Sequence, residues 1–299
     1  MNIYFENVDL GSLSGPNSFA RKLYKYLKKR DHSFNRQKPP DVILSFIESF
    51  YNHAAPKILR LDGIYFNTMQ DYEFLNKNIR KSYCNADGVI IQSEFDKKLI
   101  FKYFGEHPNV EVIRNGADTS SIEGLKPLQN RLTEEYDDIW VCASSWRPHK
   151  RLGPNIEYFL EHSKKNDCLI VAGNVDGNER IQHNRVFYIG EVSETVLLRL
   201  YKTSKYLIHL AWLDHCPNVV VDAKAAGCKI ICSSAGGTAE LTTWGDVIVE
   251  EDEWNFDPLE LYNPPPLDFS KKIVKKDGNL CYNMDEVAKK YEKFLSRLL

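Results

Sequence analysis

The sequence has no apolar run approaching 18 residues, so no stretch of it reads as a helix that spans a bilayer. It has no Cys-x2-Cys pair and no His-Glu-x2-His, which removes the common zinc spacings. Its seven cysteines are scattered and odd in number, so they cannot all pair. Cys142, Cys228 and Cys232 lie in apolar runs and read as buried thiols. No excess charge of one sign is present: 39 basic residues face 41 acidic ones, for a formal charge of -2. A global basic field for nucleic acid is therefore absent. The N-terminus, MNIYFENVDL, has strand character and no basic-then-apolar leader. These absences point to a reducing, cytoplasmic compartment. What is there, 43% hydrophobic and 27% charged over 299 residues, is ordinary globular composition with room for two domains, each with its own core.

Short apolar runs alternate with helical spacing along the chain. Residues 2–7 predict a first strand and 11–18 a glycine- and serine-containing loop. A helix follows over 19–29, through Phe19, Leu23, Tyr26 and Leu27. Strands are expected at 42–46, 57–61, 88–92 and 110–114, and helices at 74–83 and 93–104, the latter opened by Ser93. Residues 119–136 are polar and aperiodic, so the reading is a first domain over 1–120 and a linker over 121–136. The alternation then restarts, with strands at 139–144, 168–172, 186–189, 206–210 and 229–233 and helices at 154–164, 193–203 and 217–226. A second domain thus covers 137–275, interrupted by a Pro-rich stretch at 263–267. Residues 276–299 end in a helix with Val287, Tyr291 and Leu295 on one face, expected to return to the first domain. The fold class is α/β, because strands alternating with helices imply parallel sheets covered on both faces. Two such units predict two Rossmann-like, doubly wound domains facing across a cleft.

The chemistry concentrates in residues 212–241, WLDHCPNVVVDAKAAGCKIICSSAGGTAEL. Asp214 follows a buried strand, Pro217 stands where a helix would begin, and Gly227 where it would stop. Asp214 is therefore in a loop at a strand's carboxyl end, and Asp222 is inside the next helix. Ligands of open α/β sheets bind at those ends, and a helix start there attracts an anion. Gly236 and Gly237 follow the next strand, where backbone can approach a ligand closely. The bland alternative is that Asp214 caps the helix and Asp222 is solvated. A second constellation, SSWRPHKRL over 144–152, places Arg147, Lys150 and Arg151 after another strand. Fixed cations stabilise the charge on a departing diphosphate; otherwise they form a solvated basic turn.

These residues resemble the donor site of the retaining glycosyltransferases of family 4, the glycosyl transferases group 1, which have the two-domain GT-B fold. Their signature is Glu-x7-Glu, then Ala-x-Ala-x-Gly, a strand and a glycine turn before Glu. Asp214 and Asp222 hold the two acidic positions, one methylene shorter than Glu; Ala223, Ala225, Ala226, Gly227 and Glu240 follow. The resemblance implies that Asp214 and the segment His215, Cys216, Pro217 and Asn218 hold the donor sugar, and Asp222 the ribose. It assigns Arg147 and a second cation to the pyrophosphate. Lys150 is slightly favoured for that cation over Arg151. Gly173 and Gly190 border the nucleoside, and Gly15, in SGPNSFA, lies under the donor phosphates. Asp62, after the strand at 57–61, occupies a place where many members have His near the anomeric carbon; its alternative is a turn with Gly63. The implied activity is retaining transfer from a UDP- or GDP-linked sugar to a hydroxyl acceptor, glycan or lipid-linked. No protein nucleophile, metal or other cofactor is expected. A weakly catalytic nucleotide-sugar-binding regulator and a GT-B-fold epimerase are the other readings. The basic residues Lys22, Lys25, Lys28, Lys29 and Arg30 offer either a peripheral contact with anionic membrane or an ordinary solvated face.

Overall fold

The computed structural model describes residues 1–12 and 14–299; Leu13, inside the predicted 11–18 loop, lies outside the described residues. In chain order the elements are β1 (Ile3–Glu6), α1 (Gly15–Lys29), β2 (Val42–Phe46), β3 (Lys57–Leu61), α2 (Tyr72–Cys84), β4 (Gly88–Ile91), α3 (Glu94–Phe104) and β5 (Val110–Val112). They continue with α4 (Thr119–Gly124), α5 (Arg131–Glu135), β6 (Ile139–Ala143), α6 (Leu152–His162), β7 (Cys168–Ala172), β8 (Val186–Gly190), α7 (Glu194–Thr203) and β9 (Tyr206–His209). The last are α8 (Asn218–Ala226), β10 (Lys229–Ser233), β11 (Val247–Val249), β12 (Lys272–Val274) and α9 (Met284–Arg297). The chain divides into two units: Met1–Ala117 with Asn255–Leu259 and Asn283–Leu299, and Asp118–Trp254 with Glu260–Tyr282.

Unit 1 has five parallel strands in the order β1-β2-β3-β4-β5. After α1 the chain first passes β1, where Ser33 bridges Asn2 in parallel, and only then forms β2. That detour reverses the direction of winding, which lets helices cover both faces. α1 and α9 pack together over the face carrying Val42, Leu44, Phe46, Ile58 and Ile90. The opposite face, Ile43, Leu59, Leu61, Val89 and Ile91, is also buried, and α3 packs against β4 and α2. Such two-sided burial is why VILSF reads as a continuous apolar run rather than an alternation. α9 and the residue after it come so close that a Cβ at residue 88 would lie 2.5 Å from the Leu298 side chain and 2.9 Å from the Phe294 ring.

α1 begins at Gly15, earlier than the helical spacing implied, because Pro16 sits in the first turn where its fixed φ suits a helix. Its apolar side is used by the core: Lys22, Leu23, Tyr26 and Leu27 are buried, and Arg30 pairs with Glu292 at 2.5 Å. What this helix shows to solvent is lysine, at Lys25, Lys28 and Lys29.

Unit 2 has seven strands in the order β12-β11-β10-β9-β6-β7-β8, parallel except for β12 on β11. From β6 the chain winds outward to β8, then returns to place β9 on the other side of β6. The strand order therefore reverses between β6 and β9, the position where open sheets bind ligands. Residues 121–136, expected as a linker, instead carry α4 and α5, capped by Asp118 and by a capping box at Asn130. α4 packs on α7 and α8, so this segment is part of unit 2. Short, polar helices with one buried apolar residue, Ile122, leave no periodic signal. Residues 255–259 depart from the expected second domain: Leu259 bridges Asn67, and Asp257 pairs with Lys102 at 2.5 Å in unit 1.

Candidate active site at the switch point of unit 2

β6 and β9 end side by side, and the loops leaving them supply the cluster. After β6, Arg147 is extended, Pro148 opens a one-turn 3-10 helix, and Arg151 closes it in the left-handed region with φ 53°. This turn delivers Lys150, whose Nζ lies 2.6 Å from Asp214 Oδ2. Asp214 follows β9 through Leu213, another left-handed residue, at φ 53°. A non-glycine residue held there costs roughly 1–3 kcal/mol, which the surrounding contacts must offset. Both partners of the ion pair thus adjoin a strained residue.

Asp214 is held from several sides. His209 Nε2 donates to the same Oδ2 at 2.8 Å, and the His215 amide donates to Oδ1 at 2.9 Å. Gly237 N donates to the Asp214 carbonyl at 2.7 Å. A Cβ on Gly236 would lie 2.6 Å from that carbonyl oxygen. The diglycine, expected to let backbone approach a ligand, thus lets it approach Asp214. Burial alone would raise the Asp214 pKa, but the Lys150 charge and the His209 hydrogen bond outweigh it and hold the carboxyl well below its ordinary range. Side-chain exposures of 18% for Lys150, 12% for Asp214 and 6% for His209 leave the lysine the most accessible of the three.

Arg147 is exposed, with no hydrogen bond or ion pair for its guanidinium among the described residues. On spacing alone Lys150 and Arg151 are both candidate phosphate cations, and the structure separates them. Arg151 has a side chain 1% exposed and makes two 2.7 Å bonds to Glu251, with further bonds to the carbonyls of Leu210 and Pro265. Its guanidinium is committed to the interior, whereas the resemblance implied a contact with the donor.

α8 starts beside Asp214 with Pro217 at its N-cap and no side chain capping it. Cys216 and Pro217 are buried, and His215 and Asn218 half-buried. Asp222 lies one turn into α8, about 6 Å along the axis from Asn218. It is half-buried, and its charge adds to burial in raising the Tyr201 phenol. Gly173 and Gly190 meet each other, Gly173 N donating to Gly190 O at 2.7 Å, and both have positive φ. Gly173 lies against the Ser144 carbonyl of the β6 loop, where a Cβ would clash.

Two predicted residues lie in unit 1. Gly15 is the first residue of α1. Asp62 forms an ion pair with Arg60, which is 1% exposed. Arg60 is fixed in turn by Tyr291 at 3.0 Å, by Asn115 at 2.8 Å and by the Phe19 ring 4.0 Å away.

Three residues of the unit 2 cluster carry no motif. His209 had one signal, a polar residue within the buried strand YLIH. Glu251, the partner of Arg151, stands one hundred positions away. His149 is buried and stacks on Tyr262 with ring centroids 5.5 Å apart. Burial, with the neighbouring Lys150 charge, pushes its pKa down to about 3, so it is neutral. Its carbonyl accepts from Trp212 N at 2.7 Å, which ties the β6 and β9 loops together. Among the described residues, no three His, Cys, Asp or Glu gather as a metal site, and no helix is long and apolar enough to cross a membrane.

No curated protein matches the chain. Solved structures do. Anabaena HepE in complex with UDP-glucose is 13% identical, with a TM-score of 0.64 over 99% of each chain. AviGT4, a glycosyltransferase involved in avilamycin A biosynthesis, is 13% identical, with a TM-score of 0.60 over 99% of this chain and 97% of its own. WaaG, a glycosyltransferase involved in lipopolysaccharide biosynthesis, is 11% identical, with a TM-score of 0.61 over 99% of this chain and 91% of its own. At these identities the likeness shows the fold, α/β with parallel sheets as in GT-B glycosyltransferases. Residues 137–255, which carry Arg147, Lys150, His209, Asp214 and Asp222, match the model of one family, the glycosyl transferases group 1.

Proposed function

We propose that the chain is a retaining glycosyltransferase that moves a sugar from a nucleoside-diphosphate sugar to a hydroxyl acceptor. The observation that carries this reading is the meeting of Lys150 and Asp214, 64 positions apart, at the strand-order reversal of unit 2. The family-model match over the same residues supports it. The UDP-glucose bound to HepE makes a UDP-sugar the first donor to test, with a GDP-sugar as the comparison.

In this reading the uncapped start of α8 receives the diphosphate, and Arg147 and Lys150 neutralise it. As the bond between the anomeric carbon and the diphosphate oxygen breaks, its electron pair goes to that oxygen. Cations already in place stabilise the growing charge without reorganising. The acceptor hydroxyl adds to the anomeric carbon on the face the diphosphate leaves, and its proton passes to the departing phosphate. Asp214 orients the sugar hydroxyls, and Asp222 the ribose. Lys150 is bound to Asp214 here, so donor phosphate must draw the ammonium away for both to act. That contact also favours a second reading, a protein that binds nucleotide-sugars without turning them over.

Arg147→Ala tests the first reading. Transfer or slow hydrolysis of the donor should fall about 10²–10³-fold, the cost of removing one preorganised charge donor. An unchanged rate removes Arg147 from the diphosphate. Tight donor binding by the wild type with no product, across UDP- and GDP-sugars, selects the binding-only reading.

A further inference from the structure

The connection from β2 to β3 is unusual: two parallel strands joined without a helix. A loop of about ten residues replaces it and leaves a hollow beside α2. The cavity measures about 250 Å³. Its rim carries Lys57, at the start of β3, and Lys81 on α2, with Ser49, Asn52, Ser82 and Asn85 between. The side chains of Lys57, Lys81, Asn52 and Asn85 have no hydrogen-bond or ion-pair partner among the described residues.

The loop is built to hold a shape. It leaves β2 through Ile47 at φ 70°, a conformation that β-branched residues rarely take, and such outliers cluster at ligand sites. Buried Glu6 accepts from the amides of Phe50, at 2.8 Å, and Tyr51, and from the Ser45 hydroxyl. Ser82 Oγ accepts from Ser49 N at 2.9 Å. Tyr51 is stacked between Tyr4 and His53, with ring centroids 4.8 and 5.6 Å away, yet remains 38% exposed, and Phe50 is 66% exposed. The Glu6 oxygens are taken up from within, and the two lysines that line the hollow have no ion-pair partner among the described residues.

We propose that this hollow is a second binding site, separate from the switch-point cluster, for a phosphorylated sugar. The volume, near the lower end of ligand pockets, suits a single ring rather than a nucleotide. Amide and hydroxyl side chains match a polyol, the exposed Phe50 ring matches its C–H surface, and two lysines match a phosphate. The site would let the chain hold a charged saccharide apart from the donor.

Isothermal titration of the whole chain with glucose 6-phosphate tests this, run with and without saturating UDP. Saturable binding that UDP leaves unchanged is the expected result, with glucose and inorganic phosphate each about tenfold weaker or more. The double variant Lys57→Ser, Lys81→Ser should weaken glucose 6-phosphate binding about tenfold, through two lost charge-assisted hydrogen bonds. Asn85→Ala, on the exposed end of α2, should weaken it about threefold with the thermal midpoint unchanged, a check on folding in the double variant. No binding, displacement by UDP, wild-type affinity in these variants, or equal affinity for inorganic phosphate each overturns the proposal.

Discussion

Each unit carries an acid just past the carboxyl end of a strand with a cation against it, and the two pairs are built differently. In unit 1, Arg60 comes from β3 itself, is 1% exposed, and is gripped by Tyr291, Asn115 and the Phe19 ring as well as by Asp62. In unit 2, Lys150 comes from a loop, keeps 18% side-chain exposure, and has Asp214 as its ion-pair partner. A guanidinium with several fixed acceptors stays in place, whereas an ammonium on a flexible stem can change partners. Nearly the same chemistry thus serves a framework in one unit and an accessible site in the other, and anchoring makes the difference.

Four substitutions break or sharpen that contrast. The largest effect is expected for Arg60→Met, which removes a buried guanidinium that Asp62, Tyr291, Asn115 and the Phe19 ring all hold. Urea unfolding should show a loss of about 3–5 kcal/mol. A near-neutral result would mean that Arg60 is no more anchored than Lys150. Lys150→Met should do the reverse, lowering turnover about 10²–10³-fold, or about 2.7–4 kcal/mol in the transition state, while the melting temperature moves by only about 2 °C. Steady-state kinetics and a melting curve on one preparation decide it.

Gly236→Ala asks how tightly the backbone under Asp214 is set. Its φ is 101° and the added Cβ would meet the Asp214 carbonyl oxygen at 2.6 Å. A stability loss of about 1–3 kcal/mol is expected, with a fall in donor affinity as Asp214 shifts. Unchanged donor affinity would detach that carboxylate from the diglycine. The smallest effect concerns pH. His149 is held neutral in the folded state, with its pKa pushed down to about 3, so the unfolded chain binds the proton first on acidification. Its contribution is complete above the ordinary histidine range and is lost as pH falls through that range toward 3. Stability should therefore drop by about 1 kcal/mol per pH unit between pH 6 and 4, and His149→Phe should flatten that slope. An identical slope in the variant would assign the acid sensitivity elsewhere.

Much of the fold was legible because its signals are local. The runs at 42–46 and 57–61 are β2 and β3, Ser93 accepts from Asp96 N at the start of α3, and Gly227 ends α8 at φ 104°. Caps, breakers and apolar runs act within a few residues, so spacing reports them. α4, α5, β11 and β12 escaped: α4 and α5 are short and polar, and the three-residue strands β11 and β12 are stabilised by the strands they pair with. The same division holds at the site. Arg147, Lys150 and Asp214 stand out from their positions after strands, whereas His209 and His149 matter only through neighbours the chain brings to them.

The alternation of strands and helices, the helix ends, and the placing of acids and bases in loops at strand ends follow from the sequence alone. Spacing could not say which of two adjacent cations meets Asp214, Lys150 or Arg151. Glu251, a hundred residues further on, draws Arg151 into the interior, and a left-handed turn leaves Lys150 pointing at Asp214. Only the folded chain settles that choice, because the energy of a buried ion pair depends on distance in space and on exclusion of water, and neither is written in the order of residues.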